Sequence, residues 1–111
     1  MLEITVAETD DYTVCRPSGE LDTYTVGQFR EALGELAGVQ RLLVDLSGVP
    51  FLDSAGLGAL IGGVRRAREA GGEVAICCAR PAVARLLSTT GFDRVARIAE
   101  SEEEGAKLLT E

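Results

Sequence analysis

The sequence predicts an α/β domain with a mixed β-sheet of about five strands and about four helices, in the order ββαβαβαβα. Residues 2–15 read as two short strands around a polar turn, which is the pattern of an antiparallel hairpin. From residue 22 onward, helical and extended patterns alternate, which implies parallel strands joined by right-handed crossovers. The length of 111 residues suits a single domain over residues 1–111 with one core.

The opening hairpin is indicated by alternating apolar residues in LEITV, residues 2–6, and by YTVC, residues 12–15. Pro17, Ser18 and Gly19 are turn-forming residues and are expected to end the second strand. The sheet should therefore begin with an antiparallel pair, which makes it mixed rather than purely parallel.

A first helix is predicted after the hairpin because apolar residues recur there at three- and four-residue steps: Val26, Phe29, Leu33 and Leu36. Asp22 or Thr25 is expected to cap this helix, the latter with Gln28 as its capping-box partner. RLLVDL, residues 41–46, comes next and is apolar almost throughout. Such a run is expected of a central strand that is covered on at least one face.

The middle of the chain continues this alternation. A second helix carries an apolar stripe formed by Leu57, Leu60, Ile61, Val64 and Ala67. It is expected to end at the glycine pair 71–72. EVAICCA, residues 73–79, reads as a further strand, in which Cys77 and Cys78 should be buried and should point to opposite faces.

The end of the chain adds two helices and one strand. Pro81 suits the first position of a third helix, which Gly91 is expected to stop. DRVARIA, residues 93–99, reads as a short last strand. Ser101 and Glu104 have the spacing of a capping box and should open the final helix.

Composition excludes several kinds of function. The formal net charge of -7 argues against a nucleic-acid partner, because duplex binding depends on Lys and Arg neutralising phosphates. The chain has no signal-peptide pattern and no apolar run long enough to span a membrane, so we expect a cytoplasmic protein without a membrane partner. With three cysteines, no histidine and no CxxC pair, neither a metal site nor a cofactor is expected.

The segment PFLDSAGLGALIGG, residues 50–63, places Ser54 at the start of the second helix. A nucleophilic serine needs a general base, and the chain has no histidine. Nucleotide binding is disfavoured because the glycine spacing departs from the dinucleotide fingerprint and because Lys107 is the only lysine. A receiver domain phosphorylated on Asp53 is also disfavoured, because the lysine that such a domain uses to coordinate the phosphoryl group is missing and because the opening hairpin does not fit that fold.

A structural role for Ser54 remains. Ser54 could cap the second helix, or Asp53 could do so instead. A helix N-terminus also favours anions, so a phosphate on Ser54 could be accommodated there and would alter binding more than folding. The small residues Ala55, Gly56 and Gly58 could form an exposed surface that another protein approaches closely, or could allow close packing of the helix on the sheet.

Four segments together resemble the STAS domains of bacterial anti-sigma factor antagonists. They are GELDTYT (19–25), LLVDLSGVPFLDSAGLGAL (42–60), GGEVAIC (71–77) and LLSTTGFDRV (86–95). The most specific element is Asp-Ser-x-Gly-Leu at residues 53–57. The resemblance covers almost the whole chain, and it implies a mixed sheet backed by helices mainly on one side.

The resemblance also implies a function and a set of site residues. An unphosphorylated antagonist captures an anti-sigma factor, commonly a serine kinase, and so frees a sigma factor. Phosphorylation at Ser54 would end binding, and a metal-dependent serine phosphatase would reverse it. The protein itself would be non-catalytic, without cofactor or metal, and monomeric when free. The partner-binding residues implied are Asp22, Thr23, Asp53, Ser54, Ala55, Gly56, Leu57 and Gly58.

Two details complete this interpretation. Asp53 would orient and electrostatically frame the acceptor hydroxyl of Ser54. Ala55 departs from the family, which often has a second serine or threonine there.

Because STAS domains also occur in membrane lipid-transport ABC complexes and in stress-signalling assemblies, the alternative function for this chain is that of a subunit of such a complex.

Overall fold

The computed structural model describes all 111 residues and contains one five-stranded sheet with four α-helices. The strands are β1 (Glu3–Glu8), β2 (Thr13–Ser18), β3 (Arg41–Asp45), β4 (Glu73–Cys77) and β5 (Arg97–Ala99). The helices are α1 (Val26–Glu35), α2 (Ser54–Glu69), α3 (Pro81–Thr89) and α4 (Glu102–Thr110), with a 3-10 turn at Phe92–Arg94. The predicted fold class and element order are confirmed. None of the helices has the length and apolar composition needed to cross a bilayer.

The strands lie side by side in chain order, from β1 at one edge to β5 at the other. β1 is antiparallel to β2, and all other neighbours are parallel. β3 is central, as predicted, with Leu43 paired to Val14 of β2 and to Ala75 of β4. These three side chains are buried, because both faces of the sheet are covered by helices.

The helices are divided unequally between the two faces of the sheet. α1, α2 and α3 contribute Phe29, Leu60 and Leu87 to the main core on one face. α4 alone covers the other face, where Leu109 belongs to a smaller core together with Leu43. The expected packing of the helices mainly on one side is therefore confirmed.

The cysteines lie where the strand pattern predicts them. Cys77 is in the smaller core and Cys78 in the main core, so consecutive residues point to opposite faces. All three cysteines are buried and free. Burial raises the pKa of the Cys15 thiol to about 11 and also raises the pKa values of Cys77 and Cys78. Burial thus favours the protonated form of the three thiols.

β2 ends at Ser18, within the segment Pro17, Ser18 and Gly19 that is predicted to end it, and Pro17 is paired with Ile4 of β1. The regular ladder between β2 and β3 stops at Cys15, so a proline two residues later interrupts no pairing on that side.

The predicted capping box at α1 is absent. Thr25 occupies the N-cap position, but its side chain makes no capping hydrogen bond. Thr25 Oγ1 instead accepts from Asp22 N at 3.1 Å and donates to the carbonyl of Glu20 at 2.8 Å. Gln28 Nε2 donates instead to the carbonyl of Leu2 at 3.2 Å, which ties α1 to the start of β1.

Candidate functional site

The site forms where the carboxyl ends of β2 and β3 continue side by side as loops. Three backbone hydrogen bonds join the two loops: Gly19 N to Gly48 O (3.0 Å), Leu21 N to Phe51 O (3.0 Å) and Asp53 N to Leu21 O (3.1 Å). Leu21 and Leu52 form a parallel bridge, and both side chains are buried. The loop that contains Asp22 and Thr23 is therefore fixed beside the start of α2, as the implied partner surface requires.

Asp53, not Ser54, caps α2. Asp53 is the N-cap residue, with extended backbone, and its Oδ1 accepts a hydrogen bond from Gly56 N at 3.0 Å. Ser54 is the first residue of the helix, and its exposed side chain makes no hydrogen bond within the chain. The expectation that Ser54 itself serves as the cap is thus corrected, and the alternative, Asp53, is confirmed. Ser54 keeps a free hydroxyl at the surface.

The glycines of the first two turns have opposite roles. Gly56 is buried, and a Cβ at this position would lie 2.6 Å from both Leu21 O and Leu52 Cδ1. Gly56 therefore permits close packing of α2 on the loop, which is the second of the two alternatives, and does not form part of the exposed partner surface that the resemblance implies. Gly58 is exposed, and a Cβ there would meet nothing within 4 Å. Of these two glycines, only Gly58 leaves the surface of α2 open to close approach.

The remaining predicted residues surround this helix start. Thr23 is exposed, whereas Asp22 is half-buried, and its Oδ1 accepts from Tyr24 N at 2.9 Å and from Thr25 N at 3.1 Å. These bonds fix the turn before α1. Ala55 and Leu57 are half-buried and pack against the main core, so they present only part of their surface to a partner.

Two aromatic residues missed by sequence reasoning lie on the same two loops. The Tyr24 side chain is 95% exposed, and Phe51 is 48% exposed. Large exposed aromatics often anchor protein interfaces, since they bury much area at little cost in conformational entropy. Tyr24 lies off the apolar stripe of α1, which is a sequence signal for exposure. Phe51 has no such signal, because a loop phenylalanine is more often buried.

The electrostatics at the start of α2 favour an anion. The first turn contains no acidic residue, and the helix dipole places positive partial charge at this end. The chain contains no histidine, so no imidazole is present to remove the Ser54 proton. The start of α2 therefore places positive partial charge beside the free hydroxyl of Ser54.

A separate ionic cluster lies on the α4 side of the sheet. Arg16 forms ion pairs with Glu102 and, at 3.7 Å between Nε and Oδ2, with Asp45. Tyr12 Oη donates to Glu102 Oε2 at 2.8 Å, and this hydrogen bond raises the pKa of Tyr12. The same carboxylate raises the pKa of Arg16. The cluster attaches the start of α4 to β2.

The fold and the candidate site define a small α/β domain whose candidate functional residues lie at an exposed helix start and not in a cavity. Residues 3–105 match the family model described as STAS domain, and the chain belongs to this family.

Three proteins similar to this chain are named as anti-sigma factor antagonists. An anti-sigma F factor antagonist from Paenibacillus polymyxa is 32% identical over 106 residues, covering 91% of this chain and 89% of the relative. An anti-sigma-B factor antagonist from Staphylococcus aureus is 29% identical over 104 residues, covering 92% and 96%. The crystal structure of an anti-sigma factor antagonist from Mycobacterium paratuberculosis superposes with a TM-score of 0.93 at 25% identity, covering 100% of this chain and 96% of that chain.

Proposed function

We propose that this protein is an anti-sigma factor antagonist that is switched off by phosphorylation of Ser54. The observation that carries the proposal is the exposed hydroxyl of Ser54 at the start of α2, which is free because Asp53 caps the helix. The names of the two similar proteins from Paenibacillus polymyxa and Staphylococcus aureus support the same class of function.

In the unphosphorylated state, the anti-sigma factor docks on the surface formed by the loop 22–24, Phe51 and the first two turns of α2. Tyr24 and Phe51 supply the exposed apolar area for this contact. Gly58 allows the partner's backbone to approach α2 closely, since no side chain stands between them. This chain acts by binding and catalyses no reaction.

Phosphorylation adds about -1.5 to -2 charges at Ser54, in the middle of this surface. The phosphate is tolerated by the fold, because α2 begins with free amides and without an acidic side chain in its first turn. A docked partner, by contrast, would have to desolvate the phosphate beside the carboxylate of Asp53. The charge therefore weakens binding while the domain stays folded.

The phosphate comes from a partner, because the chain has no histidine base and no glycine-rich loop with the lysine that binds a nucleotide phosphate. We assign this role to the anti-sigma factor, acting as a serine kinase with ATP as phosphate donor. The Ser54 oxygen attacks the γ-phosphorus, ADP leaves, and the hydroxyl proton is released. A metal-dependent serine phosphatase restores the hydroxyl by hydrolysis of the phosphoserine.

The proposal is tested by capture and labelling. Immobilised Ser54→Ala protein is used as bait in an extract of the source cells, and the retained proteins are identified by mass spectrometry. The purified partner is then incubated with ATP and the unaltered chain, and the phosphorylated residue is located by peptide mapping. We expect an anti-sigma kinase in the first step and phosphate on Ser54 in the second.

Ser101→Ala is the matched control for Ser54→Ala, because Ser101 is also an exposed serine at a helix start. Labelling should persist in Ser101→Ala and be lost in Ser54→Ala. Capture of a membrane ATPase complex in place of a kinase would contradict the proposal and support the lipid-transport alternative. Phosphate on another residue would contradict the assignment of Ser54.

A further inference from the structure

The open edge of the sheet carries a second candidate surface. β1 lies at this edge, pairs only with β2, and has one half-buried residue, Ile4, among five exposed ones. An edge strand presents backbone N–H and C=O groups that can pair with a further strand. This edge therefore has backbone groups available to a partner.

A groove of about 290 Å³ runs between β1 and α1 and is lined by Ile4, Val6, Gln28, Glu31, Ala32 and Glu35. Its floor is apolar, since Ile4 packs on the main core and Val6 is 50% exposed. The hydrogen bond from Gln28 Nε2 to Leu2 O fixes α1 against the start of β1. The groove is thus preformed in the folded chain.

The outer wall of the groove is acidic. Glu31 and Glu35 are four residues apart on α1, so they lie on the same side of the helix, and both are exposed. Neither carboxylate takes part in the ion pairs of the chain, which are confined to the Arg16 cluster. A ligand with positive charge would complement this wall.

The charges of β1 disfavour a second copy of the chain as the occupant. Antiparallel pairing of two β1 strands about their centre would place Glu3 of each copy opposite Glu8 of the other, and like charges directly opposite one another destabilise a sheet. The net charge of -7 adds a general repulsion between copies. A basic segment is favoured at the same positions.

We propose that this β1–α1 groove binds an extended segment of a partner protein that combines apolar residues with Lys or Arg. The segment adds a strand to β1, its apolar side chains cover Ile4 and Val6, and its basic side chains pair with Glu31 and Glu35. This surface is separate from the start of α2, so the proposal does not depend on Ser54 or on the proposed function.

The test uses the full chain and a synthetic peptide of about nine residues, which is within the usual length range of a β-strand. The peptide has valines at its centre and lysines at both ends. Backbone amide NMR shifts are followed during titration at low salt. We expect shifts concentrated in β1 and α1. Two control peptides, one with glutamates in place of the lysines and one with N-methylated central amides, should not bind.

The double variant Glu31→Lys/Glu35→Lys should weaken binding of the lysine peptide by about tenfold, as expected for loss and reversal of two exposed charge pairs. The matched control is Glu103→Lys/Glu104→Lys, which makes the same change in net charge at exposed positions of α4 and should bind normally. Circular dichroism checks that both variants fold, and the N-methylated peptide tests strand addition without any change to the protein.

Several results would overturn the proposal. They are no binding at the highest soluble peptide concentration, shifts centred outside β1 and α1, equal losses in both double variants, and unimpaired binding of the N-methylated peptide. Sedimentation of the free chain as a dimer that Glu31→Lys/Glu35→Lys alters would show that a second copy occupies the groove, which also contradicts the proposal.

Discussion

Two helices of this protein begin with an exposed serine beside an acidic residue, and the two serines differ in what their hydroxyls do. At α4, Ser101 is the N-cap, and its Oγ accepts from Glu104 N at 3.2 Å. At α2, the N-cap is Asp53, and Ser54 follows as the first helical residue with no hydrogen bond. A shift of one position therefore decides whether a serine completes the helix end or stays available for modification.

The charges around the two helix starts differ in the same direction. The first turn of α4 contains Glu102, Glu103 and Glu104, whereas that of α2 contains no acidic side chain. The helix dipole is complemented by three acidic side chains of the first turn at α4 and by the single Asp53 carboxylate at α2. A phosphate at Ser101 would therefore meet three first-turn carboxylates, whereas a phosphate at Ser54 would meet one.

The largest expected difference between the two serines is in partner affinity when a negative charge is introduced at each of them. Ser54→Asp should weaken binding of the captured anti-sigma factor by about a hundredfold, equivalent to about 2.7 kcal/mol, because the partner must desolvate a carboxylate at the contact. Ser101→Asp should change the affinity by less than about twofold, since α4 lies on the other face of the sheet. Isothermal titration calorimetry measures both. Equal affinities of the two variants would remove Ser54 from the interface.

The next effect compares the residues three positions after each cap. Gly56→Ala should lower the free energy of unfolding by about 1–3 kcal/mol, because the added Cβ would lie 2.6 Å from the backbone carbonyl of Leu21. Glu104 occupies the equivalent place in α4 but is exposed, so Glu104→Ala should change the free energy of unfolding by less than about 0.5 kcal/mol. Urea unfolding followed by circular dichroism checks both values. A stable Gly56→Ala protein would mean that α2 can move away from Leu21.

These two helix starts also mark what sequence patterns can and cannot predict. The alternation of strands and helices is visible because the apolar period changes from two to about four along the chain. The Ser101–Glu104 spacing likewise identifies the cap of α4 correctly. Each of these features is set by residues close together in the sequence.

The details at α2 depend on contacts between distant segments. Asp53 and Ser54 are both good capping residues, and the choice between them follows from the bond between Asp53 N and Leu21 O, which fixes where the loop ends. The inward direction of Gly56 follows from the same contact with Leu21. The exposure of Phe51 depends on how this loop lies on the sheet. Periodicity carries no information on any of these three points.

A third comparison removes the capping groups themselves. Asp53→Ala and Ser101→Ala should each lower the free energy of unfolding by about 1 kcal/mol, because each leaves the amide of the third helical residue without its acceptor. Ser54→Ala should leave stability nearly unchanged, since its hydroxyl accepts no hydrogen bond. Chemical denaturation of the three variants separates them. A loss in Ser54→Ala as large as that in Asp53→Ala would show that Ser54 takes part in capping.

The smallest expected effect is a change in stability with pH, which involves a hydrogen bond at the start of α4 and none at the start of α2. The hydrogen bond from Tyr12 to Glu102 raises the pKa of Tyr12 above its ordinary value of 10.0. Because the folded-state pKa is the higher one, this contact stabilises the fold fully below about pH 10 and is lost as the pH rises through the folded-state pKa. Ionisation removes the donor and places two anions together.

Tyr12→Phe should therefore be less stable than the unaltered chain near pH 7, and the difference should shrink at about pH 11. Tyr24→Phe is the matched control, because Tyr24 is 95% exposed beside the α2 site and its hydroxyl makes no hydrogen bond. Its stability should follow that of the unaltered chain at both pH values. Denaturation curves at the two pH values provide the measurement. If the Tyr12→Phe difference stays constant with pH, Tyr12 contributes to the start of α4 through packing and not through its hydrogen bond to Glu102.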